Sequence, residues 1–280
     1  MRSLPHYISA SRRTDIPAFF ADRFFAAWEQ GEITYDGGYG RSYTVSLRPE
    51  DVLGYIFWSK NFAPFLAHPD FAGLIERSNA LFHFTINDNP ELEPRVPPLK
   101  QRIDTLKQLC DMVGSERVLW RYDPVCKWQS PPNASRINDR RFYRILDMLH
   151  PLGIRYCYFS FMSSYAKLKN RAVSFIPFTS EEKAHIAAGM LSSCRQAGLT
   201  LYNCCNEEIP DLVPGIHKAG CIDDAILRKT DRFGVHRPLK VKGTRRACGC
   251  YESRDIGSYA DACPHGCLYC YANPQGCIRA

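Results

Sequence analysis

Long hydrophobic runs are missing from this sequence of 280 residues. No stretch approaches the roughly 18 apolar residues a membrane helix needs, so no membrane partner is expected. The opening Met-Arg-Ser-Leu-Pro-His lacks the apolar core of a secretory signal, and a cytoplasmic location is expected. Internal repeats and low-complexity tracts are missing too, which excludes solenoid arrays and biased linkers. Nor is there a large excess of either charge: 36 Lys and Arg against 29 Asp and Glu leave a formal +7. That balance permits an anionic partner without selecting nucleic acid. No nucleic-acid-reading motif accompanies the basic clusters Arg12-Arg13, Arg140-Arg141 and Lys240 to Arg246. The remainder, 45% apolar and 23% charged, is that of an ordinary globular chain long enough for one large α/β domain.

Cysteine is plentiful and unevenly placed. Cys204, Cys205, Cys221, Cys248, Cys250, Cys263, Cys267, Cys270 and Cys277 crowd the C-terminal quarter. In a reducing compartment such a cluster holds metal more readily than disulfides. Cys110, Cys126, Cys157 and Cys194 lie in apolar-patterned segments and read as buried small hydrophobes. Within Cys263-Pro-His-Gly-Cys267-Leu-Tyr-Cys270 the C-x3-C-x2-C spacing can set three thiolates on one face of an iron–sulfur cube. The fourth iron then stays open to a chelating molecule such as S-adenosylmethionine (SAM). A zinc knuckle is the plainer reading of the same ligands, since thiolates suit both metals.

Through the first 205 residues, short apolar runs end in polar residues and are followed by helix-like stretches. The strand candidates are Tyr7–Ala10, Gly54–Trp58, Ala80–Phe84, Arg117–Trp120, Arg155–Phe161 and Leu199–Tyr202. Helices are predicted over Ala21–Gln30, Phe62–Ala67, Phe71–Arg77, Leu99–Met112, Asp139–Leu149, and from Thr179 to a stop at Gly198. Strands alternating with helices specify βαβ units and a parallel sheet. Asp36 to Gly40 is rich in turn residues, and Tyr43–Leu47 has the make-up of an edge strand. Six units fit a partial (β/α)6 TIM-like barrel, with a doubly wound sheet as the competing fold. Polar residues follow nearly every strand on its C-terminal side, the face that carries active sites in parallel barrels. Residues 1–215 are expected to form the partial barrel. Residues 216–280 are expected to form a cysteine-rich, metal-organised segment over its mouth, where metal supplies part of the folding energy.

The cysteine spacing resembles the radical SAM superfamily, and Cys-Pro-His-Gly-Cys-Leu-Tyr-Cys-Tyr-Ala its spore photoproduct lyase-like branch. The similarity extends along the chain through Ser11-Arg12-Arg13-Thr14-Asp15-Ile16-Pro17, Phe57-Trp58-Ser59-Lys60-Asn61, Trp120-Arg121-Tyr122-Asp123-Pro124 and Cys221-Ile222-Asp223. Together these resemble a bacterial family, the domain of unknown function family eighteen-forty-eight, which is itself similar to radical SAM and photolyase-like proteins. The resemblance implies a [4Fe–4S] cluster on Cys263, Cys267 and Cys270. It implies SAM on the open iron, its reductive cleavage to a 5′-deoxyadenosyl radical, and hydrogen abstraction from an unknown substrate. Tyr269 then occupies the aromatic position near the adenine, and a flavodoxin or ferredoxin is the expected reductant. Two departures stand out. The motif lies at the C-terminal end instead of after the first strand, and Asp36 to Gly40 replaces an expected asparagine- and proline-containing turn.

Other residues carry two readings each. Cys204 or Cys205, with Cys221, Cys248 and Cys250, can close a structural zinc or an auxiliary cluster, or can simply pack. Arg12 and Arg13 can grip a carboxylate or phosphate in bidentate fashion, and Asp15 can cap the next helix. Lys60 and Asn61 are candidates for the SAM carboxylate or substrate. Arg121 and Asp123 suit catalysis or a buried ion pair. Tyr122 suits hydrogen donation or packing. Glu207 can bind the SAM ribose or a cysteine-bearing loop. His265 is expected near the cluster without ligating it, and Cys277 as a bystander. The basic run Arg237, Lys240, Lys242, Arg245 and Arg246 reads as a solvated face, or as phosphate contacts if nucleic acid is the substrate.

Overall fold

The computed structural model describes residues 4–38, 41–130, 134–243 and 247–272. Tyr39, Gly40, Arg245, Arg246 and Cys277 lie outside the described residues. The centre is a parallel sheet of β1 (His6–Ala10), β2 (Val52–Ser59), β3 (Ala80–Thr85), β4 (Val118–Val125), β5 (Tyr156–Phe161), β6 (Thr200–Asn203), β7 (His217–Lys218) and β8 (Arg254–Ile256). Their order across the sheet is β7-β6-β5-β4-β3-β2-β1-β8. From β1 to β7, neighbours in space are neighbours in sequence. A doubly wound sheet reverses its order at a switch point, so that alternative does not describe this chain. The outer strands β7 and β8 do not pair, and no closed barrel forms among the described residues.

Helices Ala21–Gln30, Phe71–Arg77, Leu99–Val113, Asp139–Leu149 and Ser180–Gln196 connect the strands. Their ends follow local chemistry. Gly31 closes the first with a left-handed φ of 81°. The Thr179 side chain accepts from the Glu182 N–H while the Glu182 carboxylate accepts from the Thr179 N–H, a reciprocal cap on the last.

Alternation along the strands sorts side chains to two faces. Phe57, Phe82, Trp120 and Phe159 pack with helical Phe24, Leu106, Leu109 and Phe142. Tyr7, Ile56, Leu81, Leu119 and Tyr158 cluster instead with Ile222, Ile226, Leu239 and Cys250. The chain beyond 215 therefore covers the second face, and burying each large apolar side chain contributes about 1.5–3 kcal/mol. That segment also supplies both outer strands. β7 pairs with β6, and β8 pairs with β1 in the register Ile8–Arg254, Ser9–Asp255, Ala10–Ile256.

Smaller sheets flank this frame. Among the described residues Arg41–Ser46 pairs antiparallel with Glu32–Gly38 alone, so the expected Tyr43–Leu47 edge strand belongs to a separate hairpin and not to the main sheet. Lys127–Ser130, Ala134–Ile137 and Ser174–Phe175 form a three-stranded sheet. Cys126, Cys157 and Cys194 are buried as expected, whereas Cys110 is only half-buried. Among the described residues no helix is long and apolar enough to cross a membrane.

Candidate functional site

The C-terminal ends of the central strands open into one cavity of about 290 Å³. Arg12, Arg13 and Asp15 reach it after β1, Ser59 and Lys60 from the end of β2, and Thr85 from β3. Arg121 and Asp123 reach it from β4, Ser160 from β5, and Cys204 and Cys205 after β6. The loop Cys263–Ala272 contributes a further part of the lining. All eight candidate metal ligands, Cys204, Cys205, Cys221, Cys248, Cys250, Cys263, Cys267 and Cys270, line it, and none is in a disulfide.

The stretch carrying Cys267 and Cys270 is held by hydrogen bonds to its backbone. The Leu268 N–H donates to the Leu92 carbonyl at 2.9 Å, the Cys270 N–H to the Cys267 carbonyl at 3.1 Å, and Arg171 Nη2 to the Cys270 carbonyl at 3.1 Å. His265 is almost fully buried, stands edge-on to Phe19, and places Nε2 3.1 Å from Asp15 Oδ2. Asp15 also accepts from the Ala18 N–H (3.2 Å), the Ser59 hydroxyl (2.7 Å) and the Lys60 N–H (2.9 Å). It thus ties the ends of β1 and β2 to the cysteine loop.

Behind Cys267 lies a charged network. Glu93 is buried, accepts from Lys60 Nζ at 2.7 Å and Asn87 Nδ2 at 3.0 Å, takes a short bond from the Tyr269 hydroxyl, and stands 4.0 Å from Arg102 Nη1. Burial pushes this carboxyl up, but Lys60 and Arg102 outweigh burial and hold it down to about 2. Lys60 Nζ lies 5.3 Å from the Tyr269 ring centre. Asn87 extends the network by exchanging hydrogen bonds with the backbone of Asp123, at 2.8 and 2.9 Å.

The other five thiols contact one another in a chain. Sγ of Cys204 is 3.6 Å from that of Cys205 and 3.3 Å from that of Cys221. The Cys221 N–H donates to Cys250 Sγ at 3.1 Å, and Cys250 also contacts Cys248. Arg121 Nη1 donates to Cys221 Sγ at 3.2 Å, and its Nη2 donates to Asp123, which also accepts from Ser160. Burial opposes the Arg121 charge, yet Cys221 and Asp123 outweigh it and hold the guanidinium protonated. Arg12 lies 3.4 Å from Asp255 and over the Trp58 ring. Hydrogen bonds from Cys204 and Cys250, then the Arg121 charge, hold the Cys221 thiol well below the usual range. His83, fully buried against Trp58, is kept neutral by desolvation, with its pKa lowered to about 3.

The donor chemistry of the first set fits an iron–sulfur cluster: three soft thiols around a cavity, with the neighbouring His265 engaged by Asp15. Burial drives Cys267 well above the ordinary thiol range, and burial with Asp15 drives Cys263 up to about 11. Loading must therefore release protons. Among the described residues, no three His, Cys, Asp or Glu side chains surround a position for a single metal ion.

Asn61 and Glu207 stand apart from the other candidates. The Asn61 side chain accepts from the Ala63 N–H at 3.1 Å, and Glu207 is exposed; neither lines the cavity. Tyr122 is buried on the helical face and donates to the Asn138 carbonyl. Arg237 bonds Glu252 at 2.8 Å and the Pro5 carbonyl at 3.0 Å instead of standing free in solvent. Glu93, Asn87 and Arg102 were not legible in the sequence: Glu93 sits in the proline-rich loop and Arg102 on a helix face, where charge is usually solvated.

Parallel strands in sequential order, with a cavity of thiols and guanidinium groups at their C-terminal ends, define an α/β protein with a candidate site at those ends. The profile described as Domain of unknown function (DUF1848) matches residues 7–272, and the chain belongs to that family. No curated protein matches it. Among solved structures it is similar to SuiB of Streptococcus suis bound to S-adenosylmethionine (TM-score 0.36), SuiB by itself (0.35) and SuiB bound to precursor peptide SuiA (0.36). Identity is 11% in each; the matches cover 82%, 82% and 81% of this chain and 47%, 46% and 45% of SuiB. The chain thus spans about half the length of SuiB, and these TM-scores are too low to assign a shared fold.

Proposed function

We propose that this chain is a radical SAM-type enzyme, with a [4Fe–4S] cluster on Cys263, Cys267 and Cys270 at the mouth of a partial (β/α)6 barrel. One observation carries the reading: the three thiols share a cavity with Arg12, Lys60 and Arg121, at the strand ends where parallel folds place their chemistry. With SAM, such a cluster would supply one-electron cleavage of the sulfonium to start hydrogen abstraction.

The chain's own part is to bind, orient and exclude water. Arg12, Lys60 and Arg121 give the wall fixed positive charge suited to a carboxylate such as that of SAM. Each is already held by a carboxylate, Asp255, Glu93 and Asp123 respectively, so their positions are set before ligand arrives. Asp15 and His265 position the cysteine loop, and Tyr269 closes one side of the cavity with its hydroxyl tied to Glu93. Asn61 and Glu207 have no proposed contact with SAM, since both lie outside the cavity lining. The reaction needs an external electron donor of flavodoxin or ferredoxin type, and a reducing cytoplasm suits thiols that form no disulfide.

Anaerobic reconstitution tests the reading. Wild-type chain is expected to bind iron and sulfide, turn brown and convert SAM to 5′-deoxyadenosine with dithionite, whereas C267A loses that turnover. A colourless, zinc-loaded chain inert toward SAM refutes it.

A further inference from the structure

In the cavity that Cys263, Cys267 and Cys270 also line, the second group of thiols is a built feature. Its members come from three separate segments: Cys204 and Cys205 after β6, Cys221 after β7, and Cys248 and Cys250 ahead of β8. Cys204 and Cys250 are buried, with 4% and 2% of their surface exposed. Contacts of 3.3 and 3.6 Å between sulfurs, without a disulfide, show these thiols gathered together.

The backbone is shaped to bring them together. A Cβ on Gly220 would lie 2.6 Å from the Gly249 carbonyl oxygen and 2.8 Å from that of Ile222, so two glycine backbones touch where the Cys221 loop meets the Cys248–Cys250 loop. Cys205 adopts a φ of 63°, in the left-handed region that a side chain rarely takes, and turns the chain directly after Cys204. Such strain persists only where surrounding structure holds it, and it concentrates at functional sites.

Two further features suit thiolate sulfur. The Cys221 N–H points at Cys250 Sγ at 3.1 Å, a hydrogen bond of the kind that tunes metal-bound sulfur. Arg121 and Arg12 bring positive charge against the group, offsetting the negative charge that several thiolates on one metal would carry.

We propose that Cys204, Cys221, Cys248 and Cys250 hold a second metal centre, thiolate-ligated and distinct from the Cys263, Cys267 and Cys270 set. The ligand chemistry is that of a soft metal shared by a structural zinc and a closed iron–sulfur cluster. Here the thiols contact one another in a row instead of surrounding one point, so loading rotates side chains about their Cα–Cβ bonds. The centre joins three segments that line the same cavity as the first cysteine set, and it does not depend on the SAM reading.

Metal is counted on the full chain purified anaerobically as wild type, as C263A/C267A/C270A, and as that triple variant with C221S/C250S added. The triple variant lacks every thiol of the first set, so whatever it retains reports the second. About one zinc, or about four irons with labile sulfide, retained by the triple variant and lost on adding C221S/C250S, supports the proposal and names the metal. A triple variant free of both metals overturns it, as does metal that survives C221S/C250S. Iodoacetamide labelling of folded wild-type chain guards against misfolded variants. Protection of Cys204, Cys221, Cys248 and Cys250 that a chelator abolishes supports the centre; protection indifferent to the chelator overturns it.

Discussion

Glu93 shows most clearly how a single buried group holds this site. Its carboxylate faces two cations, Lys60 at 2.7 Å and Arg102 at 4.0 Å, with the Tyr269 hydroxyl as a further donor. Because its folded pKa of about 2 lies below the ordinary 4.5, the ionised form stabilises the fold above pH 4.5. That contribution is lost as pH falls from 4.5 through 2, and it amounts to roughly 3 kcal/mol. Urea denaturation of wild type between pH 5 and 2 is expected to show that loss. Glu93→Gln is expected to lack this pH dependence and to be destabilised at neutral pH by about 3–5 kcal/mol, since two buried cations lose their partner. A variant with the wild-type pH slope contradicts the assignment. Sequence alone gave no route to Glu93, because its partners come from β2, from helix Leu99–Val113 and from a loop near the end of the chain. Cysteine differs: its chemistry is so specialised that position and spacing already pointed to the cavity wall.

Elements set by local pattern were legible before the structure. Ala21–Gln30, Phe71–Arg77 and Asp139–Leu149 follow their predicted bounds, because the spacing of apolar residues and the end signals agree within each segment. Elements made by distant pairing were not legible. β8 is three residues long and exists because β1 offers an open edge, and Tyr43 pairs with Tyr35 instead of joining the main sheet. The contact between the Cys221 and Cys248–Cys250 loops is likewise non-local, and it gives a sharp test. Gly220→Ala must push two backbones apart and is expected to cost about 1–3 kcal/mol, read as a lower melting temperature. Gly249→Ala is expected to shift the melt less, since its added Cβ would meet nothing closer than 3.3 Å. Equal shifts for the two would contradict the close approach at Gly220.

For the molecule as a whole, the segment beyond 215 does two jobs at once: it completes both edges of the sheet and carries six of the eight cavity thiols. Metal bound there would therefore clamp the thiol-bearing loops of this segment to one another, in addition to their apolar packing. Stripping iron from reconstituted protein with a chelator is expected to speed proteolytic cleavage within 247–272 while 52–203 stays protected, as mapped by mass spectrometry. Cleavage rates unchanged by the chelator would mean that packing alone secures the segment.

The register of Ile8 with Arg254 has an outcome in time as well as in space. β1 is made before the other strands of its sheet, yet one of its flanks must wait for a partner made more than two hundred residues later. Closing so long a loop is entropically costly and slow, and until then β1 presents an unpaired margin. Docking of β8 brings Asp255 to Arg12, so the thiol-lined chamber is complete only once these distant stretches of chain have met.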